Sequence, residues 1–181
     1  MSLYNRLIKY SLSLLLLCCS AQVFALSYTV EVSEAELQEK IAQVMPIEKK
    51  KLFLSVIFSH PKIDLAVGDN QIGIGSQIDV SAPGGIKSTG QAKIKGSLRY
   101  DGTTGIFYFQ NPTIVQLQLD AMPDNFMPTI QEVAQMIVTK KLANLAIYRL
   151  KDNDLQQSLL KYTLKSIAIT NKQLLIELAL F

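Results

Sequence analysis

IKSTGQAKIKGSLRY, residues 86–100, is the stretch of sequence that decides the fold, because two kinds of side chain alternate along it without a break. Charged and polar side chains take one set of alternate positions, and apolar or small side chains take the other. A period of two places the two sets on opposite faces of a β-strand, and fifteen residues at about 3.4 Å each span roughly 50 Å. The stretch therefore predicts a long sheet with one solvated and one covered face.

The same alternation runs on both sides of this stretch, from Leu52 to Asp120. Tight turns are predicted at Gly68-Asp69-Asn70, Pro83-Gly84-Gly85 and Asp101-Gly102. His60-Pro61 and Asn111-Pro112 are expected to interrupt the strands. The pattern predicts an antiparallel meander of about five strands. Gly90 and Gly96 fall on its apolar face, where a sheet bends or another group approaches closely.

A helical period follows the strands and predicts the element that covers the apolar face. Asp124-Asn125 is a cap signal and Pro128 suits a first helical turn, so a helix is expected from Pro128 to about Leu150. Its apolar sector holds Ile130, Val133, Ala134, Ile137, Val138, Leu145 and Tyr148. Lys141 and Asn144 fall in the same sector. Each either extends out to solvent or makes a polar contact with the headgroup of a ligand.

Two shorter elements complete the predicted fold. A capping box at Ser33–Glu36 starts a helix from Glu34 to Met45, and the chain ends in a hairpin of Leu164–Thr170 and Gln173–Leu180. Lys49-Lys50-Lys51 is either a solvated start of a strand or a contact with anionic lipid headgroups. The predicted class is α+β: a long, strongly bent antiparallel sheet wrapped around one long helix in the C-terminal half, with a short N-terminal helix and a final β-hairpin.

Residues 1–25 are typical of a secretory signal peptide. Arg6 and Lys9 precede an apolar run from Tyr10 to Leu17, and Val23-Phe24-Ala25 is a small-x-small cleavage site. The apolar run is too short to span about 30 Å of hydrocarbon at 1.5 Å per residue. We therefore expect export to the periplasm, cleavage after Ala25, and a mature chain that forms one domain over residues 26–181.

The two cysteines, Cys18 and Cys19, both lie in the leader. Acylation of either would anchor the protein to a membrane, although neither is preceded by the small residue that a lipoprotein signal requires. A mature chain without cysteine has no disulfide and no thiolate site. Removal of the leader leaves 16 basic and 15 acidic residues, and this balance gives no electrostatic reason to expect nucleic-acid binding.

The sequence contains no recognisable catalytic motif. His60 is the one histidine, and a metal site would have to combine it with Asp64, Asp69 or Asp79 at spacings that match no known ligand pattern. No nucleophile elbow is present, and no glycine-rich loop opens a helix. We therefore expect a protein that is not an enzyme and that has no cofactor and no metal.

Two segments of the mature chain, Tyr28-Thr29-Val30 and Ser33–Leu37, resemble the start of the YceB-like bacterial envelope proteins. The order of elements is also similar over the whole mature chain. The resemblance implies a small lipoprotein with a domain of unknown function and a fold like that of the tubular lipid-binding proteins, in which a curved sheet wraps a long helix. The family carries a lipobox cysteine, from which this sequence departs, and no functional residues are carried over from it.

Two functions fit these observations. The first is binding of a lipid or other apolar molecule in a groove between helix and sheet, with contact to a membrane surface. The groove would be lined by Ala92, Ile94, Gly96, Leu98, Ile130, Val133, Ile137, Lys141 and Leu145. The second is a structural or interaction role, in which the interior is filled by the protein's own side chains and the partner is another envelope protein.

Overall fold

The computed structural model describes residues 27–51, 53–66, 70–151, 153–154, 158 and 163–179. The predicted signal peptide, with Cys18 and Cys19, lies outside the described residues. Within them, no helix combines the length and the apolar character needed to cross a bilayer.

The described chain forms two antiparallel sheets and two α-helices, which confirms the α+β prediction in outline. The helices are α1, Glu34–Ala42, and α2, Met127–Leu142. The strands are β1 Ser27–Ser33, β2 Ile47–Lys51, β3 Leu54–Asp64, β4 Ile72–Ala82, β5 Ile86–Asp101, β6 Ile106–Leu119, β7 Ala146–Arg149, β8 Leu164–Thr170 and β9 Gln173–Ala179. The larger sheet has the order β2-β3-β4-β5-β6-β7 and curls into a half-barrel, and the smaller has the order β1-β9-β8.

Strand β5 is the longest of the described strands, with 16 residues, and it alternates between the two faces as predicted. Its small inner residues have a steric cause. A Cβ atom on Gly90 would lie 1.9 Å from the carbonyl oxygen of Gln118, and one on Gly96 would lie 2.5 Å from the Phe109 ring. Both glycines are therefore required, because the neighbouring strand β6 passes too close for any side chain.

Strands β3 and β6 run through the two predicted breaks instead of ending there. At His60 (φ 49°) and Asn111 (φ 50°) the backbone enters the left-handed region and the pairing register shifts, which is a β-bulge. The prediction that the strands end at these prolines was wrong. Proline has no amide hydrogen to donate, and at a bulge the neighbouring strand offers no partner for one, so the strand can continue.

A glutamine on each helix supplies the hydrogen bonds that the two bulges lack. Gln38 of α1 donates to the carbonyl of Pro61 at 2.7 Å and accepts from the amide of Ile63 at 2.9 Å. Gln135 of α2 does the same for Pro112 and Ile114, at 3.0 Å each. The two helices are thereby fixed to the sheet through its two irregular points.

The short helix α1 begins at the predicted capping box. Ser33 Oγ accepts from the amide of Glu36 at 3.3 Å, and Glu36 Oε2 accepts from the amide of Ser33 at 2.9 Å. Leu37 and Ile41 are buried. The final hairpin is also present as predicted, with Asn171 and Lys172 at positive φ in its two-residue turn.

The long helix α2 is shorter than predicted. It ends at Leu142, Asn144 turns with φ 63°, and residues 146–149 form β7 on the edge of β6. The amide of Asn144 donates to the carbonyl of Phe109 at 2.8 Å, and the amide of Phe109 donates to the carbonyl of Leu145 at 2.9 Å. Pairing with an open sheet edge therefore outweighs the helical period of residues 143–150, and Leu145 and Tyr148 do not belong to the helix.

Candidate functional site

Five of the nine predicted groove residues come together in the core between α2 and the concave face of the sheet. They are Ala92, Ile94, Ile130, Val133 and Ile137, each at most 3% exposed. The remaining four lie elsewhere. Gly96 is buried beneath the Phe109 ring, Leu98 and Leu145 are half-buried, and Lys141 is exposed.

The core is tightly packed where α1 faces the larger sheet. A gap in the packing is lined by Leu37, Ile41, Ile63, Ile72, Ile74, Phe109 and Ile147, and it has no room for a water molecule. An apolar ligand would therefore have to displace side chains, or move α1, to lie at this position.

An open cavity lies instead where α2 meets β2, the edge strand of the larger sheet. Lys51 Nζ contacts Glu132 Oε1 at 2.7 Å near one end of this junction, and Ile47 and Lys141 line the same cavity at the other end. The two elements thus run antiparallel. A helix uses its own backbone hydrogen bonds internally, so this junction, which we call the seam, is held by side chains alone.

The seam contains two adjoining cavities. The larger has a volume of about 350 Å³ and is lined by Val44, Pro46, Ile47, Glu48 and Lys141. The smaller, of about 50 Å³, shares three of these residues and adds Lys49, Met136, Ile137 and Lys140. An apolar floor and a rim of lysines match an amphiphilic molecule with an acidic end, and the larger cavity is within the range of ligand pockets.

The one carboxylate among the residues that line the two cavities, Glu48, is already engaged. Glu48 accepts a hydrogen bond from Ser55 Oγ at 3.0 Å and pairs with Lys50 Nζ at 3.2 Å. The Ser55 hydroxyl and then the Lys50 ammonium hold the pKa of Glu48 below its usual value, so it remains ionised. Among the described residues, no carboxylate lies within 4 Å of the ammonium groups of Lys49, Lys140 or Lys141. The rim is therefore net positive.

Sequence reasoning found part of the seam. Ile137 and Lys141 were predicted as groove residues and both line it, and Lys49 belongs to the basic triplet for which a lipid contact was one interpretation. Val44, Ile47 and Met136 were missed, because no pattern in the sequence shows that β2 lies beside α2.

His60 is the one histidine of the chain, and a Ser-His-Asp arrangement or a metal site would have to use it. It lies exposed at the β3 bulge, where its Nδ1 is 3.1 Å from Ser59 Oγ. Among the described residues, no three His, Cys, Asp or Glu side chains are grouped closely enough to hold a metal ion.

Comparison with known proteins supports the predicted domain of unknown function and does not extend to the YceB-like name or to a lipid-binding fold. No curated protein matches the chain significantly. A family model described as "Protein of unknown function (DUF1439)" matches residues 32–173, from the end of β1 to the start of β9. Since this match covers well over half of the chain, the protein belongs to the DUF1439 family.

Proposed function

We propose that this protein is a non-enzymatic protein of the cell envelope that binds a lipid, or another apolar molecule with an acidic end, at the seam between α2 and β2. The observation that carries the proposal is the pair of adjoining cavities, of about 350 and 50 Å³, which share Ile47 and Lys141 and have Lys49 and Lys140 in the lining of the smaller one. The acidic end pairs with Lys141 at the rim. The apolar chain passes Ile47 and Ile137 toward the concave face of the sheet.

The physical basis is the weakness of the seam relative to the rest of the half-barrel. Displacing α2 from β2 breaks side-chain contacts and one exposed ion pair, Lys51–Glu132, and no strand ladder. Such a pair contributes about 0–1 kcal/mol. Each methylene of a buried acyl chain contributes about 0.8 kcal/mol, so a chain of modest length offsets the opening of the seam.

The proposed location is the periplasm, reached through the signal peptide of residues 1–25. The expected mature protein begins Leu-Ser-Tyr-Thr-Val after cleavage behind Ala25. The intact mass of the protein purified from its own host tests this. A diacylglyceryl group on Cys18 or Cys19 would replace the soluble form with a membrane-anchored one.

Contact with a membrane surface is proposed for the turn between β2 and β3. Phe53 at this turn is 84% exposed and follows the basic triplet of residues 49–51. An aromatic ring beside lysines suits the interface of a bilayer. Substituting Phe53→Ser is expected to lower binding to lipid vesicles. Phe53→Tyr, which keeps an aromatic ring at this position, is the control and is expected to keep vesicle binding.

Native mass spectrometry and lipid extraction of protein from its own host test the ligand directly, and a fluorescent fatty acid measures affinity. Met136→Trp fills the smaller seam cavity and is expected to lower probe affinity while the melting temperature stays the same. Gln131→Trp places the same side chain on the exposed face of α2 and is the control. Equal affinity in both variants would contradict a site at the seam.

Lys141 can be tested separately from the apolar floor. Lys141→Gln is expected to weaken binding of the fatty-acid probe and to leave binding of the corresponding fatty alcohol unchanged, because only the acid has a charge to pair. Lys87→Gln, an exposed lysine on β5, controls for the change in net charge.

The tight packing of the core beneath α1 favours a second candidate function, an interaction protein without a ligand. Ala92 is 1% exposed within this core, so Ala92→Phe is expected to overpack it and to cost about 1–3 kcal/mol of stability. That loss in chemical denaturation, together with no co-purifying lipid and no probe binding by the wild type, would favour the interaction role.

A further inference from the structure

A second cavity, of about 680 Å³, lies on the outer face of the larger sheet. Its lining includes Lys93 and Lys95 of β5, whose neighbours Ala92 and Ile94 point into the core. Because successive side chains of a strand point to opposite faces, this cavity is separated from the core by the sheet itself. It is therefore independent of the seam and of the function proposed for it.

The floor of this cavity includes Gly73 and Gly75, and its sides include Lys62 and Asp64 of β3 and Lys93 and Lys95 of β5. The strand register places Gly75 of β4 between Lys62 of β3 and Lys93 of β5, and it pairs Gly73 of β4 with Lys95. Strands lie about 4.8 Å apart, so Lys62 and Lys93 stand on the two sides of a trough about 10 Å wide with no side chain at its centre. Both ammonium groups can reach one anion held above Gly75.

Lys172, from the turn between β8 and β9, lies at the end of the trough that is formed by Gly73 and Asp64. The amide of Ile169 in β8 donates to Asn70 Oδ1 at 3.0 Å, which holds this hairpin against the start of β4. Lys95 and Lys172 thus supply a second pair of cations. This pair lies two residues along the strands from the first pair, Lys62 and Lys93. Two residues of strand correspond to about 7 Å.

The four lysines of the trough form no ion pair with a carboxylate of the described residues, since none of them has such a carboxylate oxygen within 4 Å. The two carboxylates in the lining, Glu34 and Asp64, accept hydrogen bonds from the amides of Leu65 at 2.9 Å and Ala66 at 2.8 Å. Four ammonium groups are therefore available to a ligand.

We propose that this trough, defined by Lys62, Lys93, Lys95, Lys172 and the glycine floor, binds a ligand that carries two or more phosphate groups about 7 Å apart. Lysine is a common phosphate ligand that acts as a point charge, and two pairs of lysines at this spacing match two phosphates. The phosphates belong either to a soluble oligophosphate or to lipid headgroups at a membrane surface.

The soluble source is tested by calorimetric titration of the mature protein with tripolyphosphate and with inorganic phosphate. We expect tripolyphosphate to bind more tightly than phosphate, with an affinity that falls as salt is added. The double variant Lys93→Gln/Lys95→Gln is expected to lower the affinity at least about tenfold. Lys87→Gln, on the same strand and face but outside the trough, is the control and should keep it. Equal losses in both would mean nonspecific attraction and would overturn the proposal.

A second variant tests the shape of the trough without changing its charge. A Cβ atom on Gly75 would lie 3.7 Å from its nearest neighbour, the carbonyl oxygen of Lys62, and the site has no positive φ. Gly75→Val is therefore expected to fold normally and to lower the tripolyphosphate affinity by filling the floor. Retained affinity in a folded Gly75→Val protein would overturn the site.

Vesicles of phosphatidylcholine with and without phosphatidylglycerol distinguish the two sources. Binding only in the presence of phosphatidylglycerol, and its loss in Lys93→Gln/Lys95→Gln, would assign the phosphates to a membrane surface. Binding of tripolyphosphate alone would assign them to a soluble ligand. Binding of neither probe would contradict the proposal for the trough. It would not count against the lipid site at the seam, because that site is tested by a separate variant, Met136→Trp, which lies outside the trough.

Discussion

The bulges of β3 and β6 are two versions of one structural device. Both segments read Phe-x-x-Pro-x-Ile, over residues 58–63 and 109–114. In each, the residue before proline has positive φ, and a helix glutamine bonds the proline carbonyl and the isoleucine amide. They differ in what lies opposite. At the β3 bulge Ser76 donates to the carbonyl of Ser59 at 2.7 Å, and at the β6 bulge Gly96 has no side chain.

Each of the two bulged strands is also covered by one of the two helices. Helix α1 packs on β3 and β7, and α2 packs on β6, β2 and β3. Each helix is followed by an edge strand of the larger sheet, β2 after α1 and β7 after α2. The half-barrel is thus built from two similar halves. At the β3 bulge Ser76 bonds the carbonyl of Ser59 at 2.7 Å, whereas at the β6 bulge the equivalent carbonyl of Gln110 receives a longer bond, of 3.4 Å, from Ser97 beside Gly96.

The largest expected effect is at the β6 bulge, where Gly96→Ala introduces a Cβ atom 2.5 Å from the Phe109 ring. We expect a loss of about 1–3 kcal/mol in the free energy of unfolding, measured with urea, because the ring has to move. Gly75→Ala, whose Cβ atom meets nothing closer than 3.7 Å, is the control and should be nearly neutral. Similar losses in both variants would show that close approach is not what distinguishes Gly96.

The two glutamines are expected to contribute similar amounts. Gln38→Ala and Gln135→Ala each leave one carbonyl and one amide without a partner, which costs about 1–2 kcal/mol. Gln43→Ala and Gln131→Ala, at exposed positions of or beside the same helices, are matched controls. If Gln38→Ala cost no more than Gln43→Ala, the equivalence of the two halves would fail at α1.

Removing the serine hydroxyl that bonds a bulge carbonyl is expected to lower the stability by less than removing a glutamine. Ser76→Ala removes a buried hydrogen bond of 2.7 Å and is expected to cost about 1 kcal/mol. Ser97 makes the corresponding bond to the carbonyl of Gln110 at 3.4 Å and is less buried. Ser97→Ala should therefore cost less, and thermal unfolding of the two variants side by side checks the order.

The smallest effect is expected from the residues at positive φ. Asparagine tolerates the left-handed region somewhat better than histidine does. His60→Asn should therefore stabilise the protein by a few tenths of a kcal/mol, and Asn111→His should destabilise it by a similar amount. A change of the same sign in both variants would show that the side chains make other contacts that outweigh the backbone preference.

Local patterns predicted most individual elements. The alternation in residues 86–100 identified β5, and the capping box at Ser33 identified the start of α1. The prediction of a helix over residues 143–150 was wrong, because Leu145 and Tyr148 fit a helical wheel as well as they fit an edge strand. Of the seam, Ile137 and Lys141 were predicted and Ile47 was not, since its relation to α2 depends on contacts between residues about 90 positions apart.

The sequence alone determined which side chains face the core and which face solvent, because the period of a strand or helix is a local property of the chain. Only the tertiary structure decided where β2 meets α2, why Gly90 and Gly96 are required, and that Lys62, Lys93, Lys95 and Lys172 surround one trough. These features arise from strand register and sheet curl. A bulge of one residue sets both, and its position is stabilised by partners such as Gln38 and Gln135 that are distant along the chain.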